Sequence, residues 1–313
     1  MVLRGEAEQR VPPQGLGVSM DFDMIVGFIL SVIRQTTPLL FVALGVLIIQ
    51  TSGIMEMSAE GKMLLASFIA AVVTFVTGSV WLGMLIATLA SGLIGLLYAW
   101  IVQEFNVNQI IMGLSFNILA LGITSLIFRQ YASARLSASA MLPTFEFRPL
   151  GLSLPVYIGF IMVIVVSLFL KKTNLGLKIR SVGEFPKAVE SVGLSVKKIR
   201  YQASLLGSLL IGFGGAFFTL GITNVFVENM VNGRGYIAMT AVTFGKFTPG
   251  GTLAAVALFG AGDALQFRLQ AIGFNIPFQF ALMMPYVITV IALVLFARSQ
   301  SSPSALGKTY VRE

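Results

Sequence analysis

Several polar residues stand inside apolar runs long enough to cross a membrane, and each could do chemistry there. Glu60, in TSGIMEMSAEGKMLL, sits where Gly53, Ser58 and Gly61 interrupt the apolar pattern near the start of a span. A carboxylate beside an interrupted membrane helix is a candidate ion or substrate ligand, because burying it unpaired in hydrocarbon is costly. The same group could instead cap a helix at the water interface, with Lys62 nearby. Asp263, in GAGDALQFRLQ, could pair with Arg268 or face a polar interior. Asn117, in GLSFNILALG, can donate and accept, toward a substrate or toward another helix. The stretch Asn229 to Thr240 sets Asn232, Arg234 and Tyr236 around two glycines at the end of a short span. Non-helical backbone at such a place is tolerated if it lines a cavity. An ordinary loop turn is the competing view.

Other chemistry is excluded by what is missing. The chain has no cysteine and no histidine. That removes imidazole and thiolate metal sites, disulfides, cysteine nucleophiles and Ser-His-Asp catalysis, so no catalytic residue and no metal site is assigned. Gly307-Lys308-Thr309 has the look of the end of a phosphate-binding loop, but the motif needs a glycine where Ser302 stands and a strand before it. No nucleotide site of its own is expected. Energy would come from an ion gradient or a separate subunit.

The elements that must hold these residues follow from composition. With 56% hydrophobic and 11% charged residues and a mean hydropathy of +0.89, the chain reads as an all-α polytopic membrane protein. Residues 1–23 form a polar tail, with Met20 a second candidate start, and 24–297 the transmembrane domain. Arg34, Gln35 and Pro38 divide 24–50 into an amphipathic lead-in and a first span at about 37–50. Further spans are expected at about 62–77, 80–102, 108–128, 156–170, 201–222, 236–247, 251–267 and 280–297. That makes about nine helices, with eight to ten as the range. The 236–247 segment is short enough to be re-entrant, and reading 24–50 as a hairpin would give ten. Gly83, Leu85, Ala87, Gly92 and Leu97 recur with the same spacing as Gly251, Leu253, Ala255, Gly260 and Leu265, a possible internal repeat of the kind found in transporters.

The one strongly polar interruption is 171–200, with eight basic and two acidic residues, six of the eight net positive charges. Short cytoplasmic loops carry the lysine and arginine excess, so this loop and the tail 298–313 are placed in the cytoplasm. Within the loop, Pro186 suits a first helical position and Gly193 a left-handed stop. Phe185, Ala188, Val189 and Val192 fall on one apolar stripe of about two turns. Such a short helix is marginal in water and needs a surface, either membrane or partner protein. A loop that merely orients the chain is the plainer reading.

GIMEMSAEG at 53–61, VNQIIMGLSFNILALGITSLIFR at 107–129, GLKIRSVGEFPKAVESVGLSVKKIRY at 176–201, LIGFGGAF at 210–217 and the block 232–270 together resemble the membrane permeases of ABC-type importers. Within these the chain is similar to the branched-chain amino acid and simple-sugar class, most of all to its nucleoside-type members, from about Thr36 to Phe296. The resemblance implies a multi-pass subunit of a prokaryotic cytoplasmic (inner) membrane that binds no cofactor, ATP being used by a separate ABC ATPase. It implies that Gly183, Glu184, Phe185, Pro186, Ala188, Val189, Glu190 and Gly193 form a coupling helix docked on that ATPase. It implies a second permease, identical or paralogous, and an extracytoplasmic substrate-binding protein, with the lipid bilayer as surroundings and no nucleic acid. Glu56, Glu60, Asn117, Asn232, Arg234 and Tyr236 are then the candidates for the translocation pathway. Glu56 departs from the asparagine usual in the family pattern Asn-Ile-x-x-Glu-Gly, which bears on substrate preference or on a paired, non-identical partner. Two rival classes remain: a stand-alone ion-coupled transporter using Glu60 and Asp263, and a membrane-embedded enzyme working through carboxylates.

Overall fold

The computed structural model describes residues 19–132, 141–145, 149–271, 283, 287 and 302–310. Ten α-helices carry the described chain: α1 (Ser19–Thr51), α2 (Ala59–Thr77), α3 (Val80–Glu104), α4 (Gln109–Ile127), α5 (Leu154–Lys172), α6 (Asn174–Glu184), α7 (Pro186–Ser191), α8 (Val196–Phe217), α9 (Arg234–Phe244) and α10 (Pro249–Ala271). Short polar caps set their starts: the side chains of Ser79, Asn108, Thr173 and Ser195 each accept a hydrogen bond from a backbone N–H in the turn that follows.

Six of these helices, with the π-turns that extend two of them, are long and apolar enough to cross a membrane among the described residues. The sequence leads one to expect about nine, and the difference has three sources. The helix α9 has only 11 residues, roughly 16 Å at 1.5 Å per residue, about half a hydrocarbon core. The helix α10 has 23 residues but is rich in glycine and carries Asp263 and Arg268. The span at 280–297 lies outside the described residues but for Met283 and Val287. The hairpin reading of 24–50 is corrected: α1 is one helix of 33 residues running through Pro38. Thr37 Oγ1 donates to Ile33 O at 2.8 Å one turn back, and Pro38 itself is buried in the bundle. The helix also begins at Ser19, inside the stretch assigned to the tail.

From Thr36 onward α1 is buried on all sides, whereas α3, α4 and α5 present Leu93, Ile111, Ile118 and Ile164 outward. In lipid no hydrophobic gain drives helices together, so close approach through small residues must do it. Gly45 of α1 and Gly207 of α8 meet backbone to backbone, and each also packs on an isoleucine one turn along its partner, Ile211 and Ile49. The two helices cross antiparallel at this reciprocal contact. Around it, α8 packs on α2 and α3 while α1 packs on α9 and α10. Gly92 of α3 lies against Leu209 of α8, and Gly260 of α10 lies against Thr36 of α1. Gly92 and Gly260 of the recurring pattern both stand at helix contacts, one on α8 and the other on α1.

The bundle contains two breaks. Residues 52–58 separate α1 from α2, and 224–233 fold back into the bundle before α9. Phe226 in the second break packs edge-on against Phe68 midway along α2, 5.1 Å between centroids. Asn224, Asn229 and Asn232 take φ of 57°, 56° and 44° there, a left-handed conformation that asparagine tolerates better than most side chains.

Candidate functional site

The two breaks meet. Glu60, in the first turn of α2, accepts from Gly233 N–H through Oε1 and from Gly235 N–H through Oε2, both at 2.7 Å. A carboxylate thus closes the open amide end of the half-helix α9, where the partial positive charge of a helix start lies. No larger residue fits at 235: a Cβ there would come within 2.5 Å of Glu60 backbone. Asn117 of α4 ties the same place together. Its Oδ1 accepts from Gly61 N–H at 2.8 Å, and its Nδ2 donates to Met57 O at 2.8 Å and to Tyr236 Oη at 2.7 Å. One side chain so joins the first break, α2 and α9.

Glu56 lies deeper in the first break. Its Oε2 pairs with Lys62 Nζ at 2.7 Å, both side chains fully buried, and its Oε1 accepts from the backbone N–H and hydroxyl of Ser58. Lys62 Nζ also sits 4.7 Å from the centre of the Tyr98 ring, and the Tyr98 hydroxyl donates to Gln109 O at 3.0 Å and lies 3.1 Å from Met55 O. The Glu56 and Lys62 charges offset one another in a fully buried site, and the bonds of Glu56 to Ser58 and of Tyr98 and Gln109 to Met55 hold the irregular backbone of 55–58. Lys62 therefore serves Glu56, and Glu60 turns to α9.

Arg234, the first residue of α9, reaches Asp263 of α10 at 3.4 Å, with side-chain exposures of 20% and 9%, and lies over the Phe218 ring at 4.8 Å. Asp263 thus takes Arg234 as its partner, while Arg268 lies 5.8 Å from the centre of the Phe28 ring. Of the pathway candidates, Glu60, Asn117, Arg234 and Tyr236 converge at the start of α9; Glu56 is sealed behind them; Asn232 is exposed on the turn before it. Far from the basic loop, Arg129 holds Glu228 through two hydrogen bonds of 3.0 and 2.8 Å, which keep the Glu228 carboxyl below its usual range.

At the basic end, α7 follows α6 after a single residue, Phe185, and two residues beyond its end the chain turns at Gly193 with φ of 81°. The apolar stripe divides in two. Val189 is buried, whereas Phe185 and Val192 are 69% and 72% exposed and Ala188 is exposed with them. With Leu177 of α6, 55% exposed, they line an open groove of about 720 Å³ rimmed by Lys178, Arg180 and Glu184.

Comparison with known proteins fits this architecture. A family model described as the branched-chain amino acid transport system, permease component, matches residues 28–296. The chain belongs to this permease family. It is 30% identical to the guanosine ABC transporter permease protein NupQ of Bacillus subtilis, over 94% of this chain and 99% of that one. It is 30% identical to the putative glucose ABC transporter permease protein TsgC13 of Haloferax volcanii, over 92% and 98%. It is 29% identical to the nucleoside ABC transporter permease protein NupC of Lactococcus lactis, over 90% and 96%. No solved structure matches. The permease's Glu56–Lys62 pair had one signal in the sequence, a carboxylate where asparagine is usual. Tyr98 and Gln109 had none.

Proposed function

We propose that this permease is the membrane subunit of an ATP-driven importer, with nucleosides or simple sugars as substrates, and that α6 and α7 dock it on a separate ATPase. The observation that carries the docking is the exposed apolar groove of Leu177, Phe185, Ala188 and Val192 at the basic end. Aromatic and aliphatic anchors ringed by charge are the pattern of a protein interface. The substrate class is supported by the names of the relatives, two for guanosine or nucleosides and one for glucose. In this reading the basic end is cytoplasmic, a second permease completes the pathway, and a binding protein delivers substrate at the opposite end. The permease itself is non-catalytic. Glu60, Asn117, Arg234 and Tyr236 hold the two breaks whose rearrangement would open and close the path.

Ion coupling through Glu60 and Asp263 is the rival, and the geometry weighs against it. Both Glu60 oxygens are engaged by backbone amides, and Asp263 faces Arg234. The direct test is to replace Phe185 or Val192 with Asp. Each substitution should weaken co-purification of the ATPase subunit by about tenfold or more, as loss of an interface anchor does, and leave the permease's own thermal unfolding unchanged. Undiminished co-purification would sink the docking reading.

A further inference from the structure

The end of the chain returns to the basic end and crosses it. Ala305 N–H donates to Gly183 O at 2.8 Å, and two residues on Gly307 N–H donates to Gly53 O at 3.0 Å. The Ser304 hydroxyl donates to Glu184 Oε2 at 2.8 Å. Pro303 and Ala305 are buried while Ser304 and Gly307 are exposed, so the segment is seated and not merely laid on the surface. Its two anchor points belong to different elements. Gly183 stands three residues before α7, and Gly53 stands three residues before Glu56 in the first break.

The anchors are tight. Gly183 packs directly on the carbonyl of Thr51, the last residue of α1. Gly53 has φ of 89°, and a Cβ there would lie 2.9 Å from Arg200 Nη2 and 3.2 Å from Ala305 O. Arg200 is buried, with Nε 3.3 Å from Ser52 O, a cation at the carbonyl end of α1. Further along, Tyr310 lines a hollow with Glu190, Gly193 and Leu194. The terminal segment therefore bonds to the end of α6 just before α7 and to Gly53 in the break between α1 and α2, and further along Tyr310 borders the same hollow as the residues that follow α7.

We propose that Pro303 to Gly307 is a strap that positions the first break: it binds the end of α6 to Gly53, so that displacement of α7 by a docked partner is carried into residues 54–58. This rests on the docking reading above. A direct mechanical link between two elements is a physical basis for coupling, where mere proximity is not.

The test uses the complete transporter, permease with its neighbouring ATPase and binding protein, in proteoliposomes. Ala305→Pro removes the N–H that reaches Gly183, Ala305→Gly keeps it, and a chain ended after Ser301 removes the strap. Expected for the first and last is an assembled complex that still hydrolyses ATP but moves about tenfold less radiolabelled nucleoside per ATP, while Ala305→Gly behaves as wild type. An unchanged ratio in both variants would overturn the proposal, as would loss of assembly or of the fold, which would make the strap a structural element only. Absence of ATP-driven uptake in the wild-type complex would instead overturn the docking reading.

Discussion

Breaking the Glu56–Lys62 pair from one side leaves a charge without its counter-ion in a sealed site. Removal of one partner of a buried pair costs about 3–5 kcal/mol, whereas removing both can be nearly neutral. Lys62→Met and Glu56→Gln should each lower the unfolding temperature of the purified permease sharply, and the double variant should recover most of the loss. Additive losses would show that the two charges do not depend on each other. Asn117→Ala removes three hydrogen bonds at once and should cost on the order of 1–3 kcal/mol, read by the same unfolding measurement, with uptake reduced as the breaks loosen. The sequence shows that Glu56, Glu60 and Asn117 are unusual as polar residues beside or within apolar runs, and Arg234 as a charge between two glycines at the end of a short span. It does not show their partners. Positions 56 and 62 share no face of a regular helix, and only the irregular backbone of 52–58 brings them together. Glu60 and Gly235 are far apart in the chain and meet only because α9 starts inside the bundle.

At the scale of the element, α9 depends on a carboxylate and a glycine. Gly235→Ala should prevent the seating of α9 on α2 and abolish uptake, since the added Cβ meets backbone and not a movable side chain. Glu60→Gln keeps an acceptor for the α9 amides, so it should reduce uptake only in part and leave its pH profile unchanged. Loss of a proton dependence in that variant would favour ion coupling. Helix limits were legible where chemistry marks them: Pro186 opens α7 and Gly193 closes it. The inner and outer faces of α7 were not, because periodicity groups Val189 with Phe185 and Val192 while the fold buries Val189 alone of the three. Pro38 misled for the opposite reason, since a proline that would break a soluble helix is accommodated in α1 by tertiary packing.

For the whole molecule, the glycine echo between α3 and α10 pointed to a possible internal repeat, and the structure shows Gly92 and Gly260 of that echo at helix contacts. The packing is centred on α1 and α8, which meet glycine to glycine, with α9 and α10 around the first and α2 and α3 around the second. Two breaks joined at the centre, and an exposed apolar groove beside the terminal segment that reaches one of them, are the features on which the proposed movement by a docked partner rests. The measurement closest to that claim is uptake of radiolabelled nucleosides and simple sugars into cells carrying the permease with its neighbouring ATPase and binding protein, with a hydrolysis-dead ATPase in parallel. The account predicts that uptake of a nucleoside or sugar disappears with the dead ATPase. Uptake that persists with it, and collapses when the proton or sodium gradient is removed, would contradict the account.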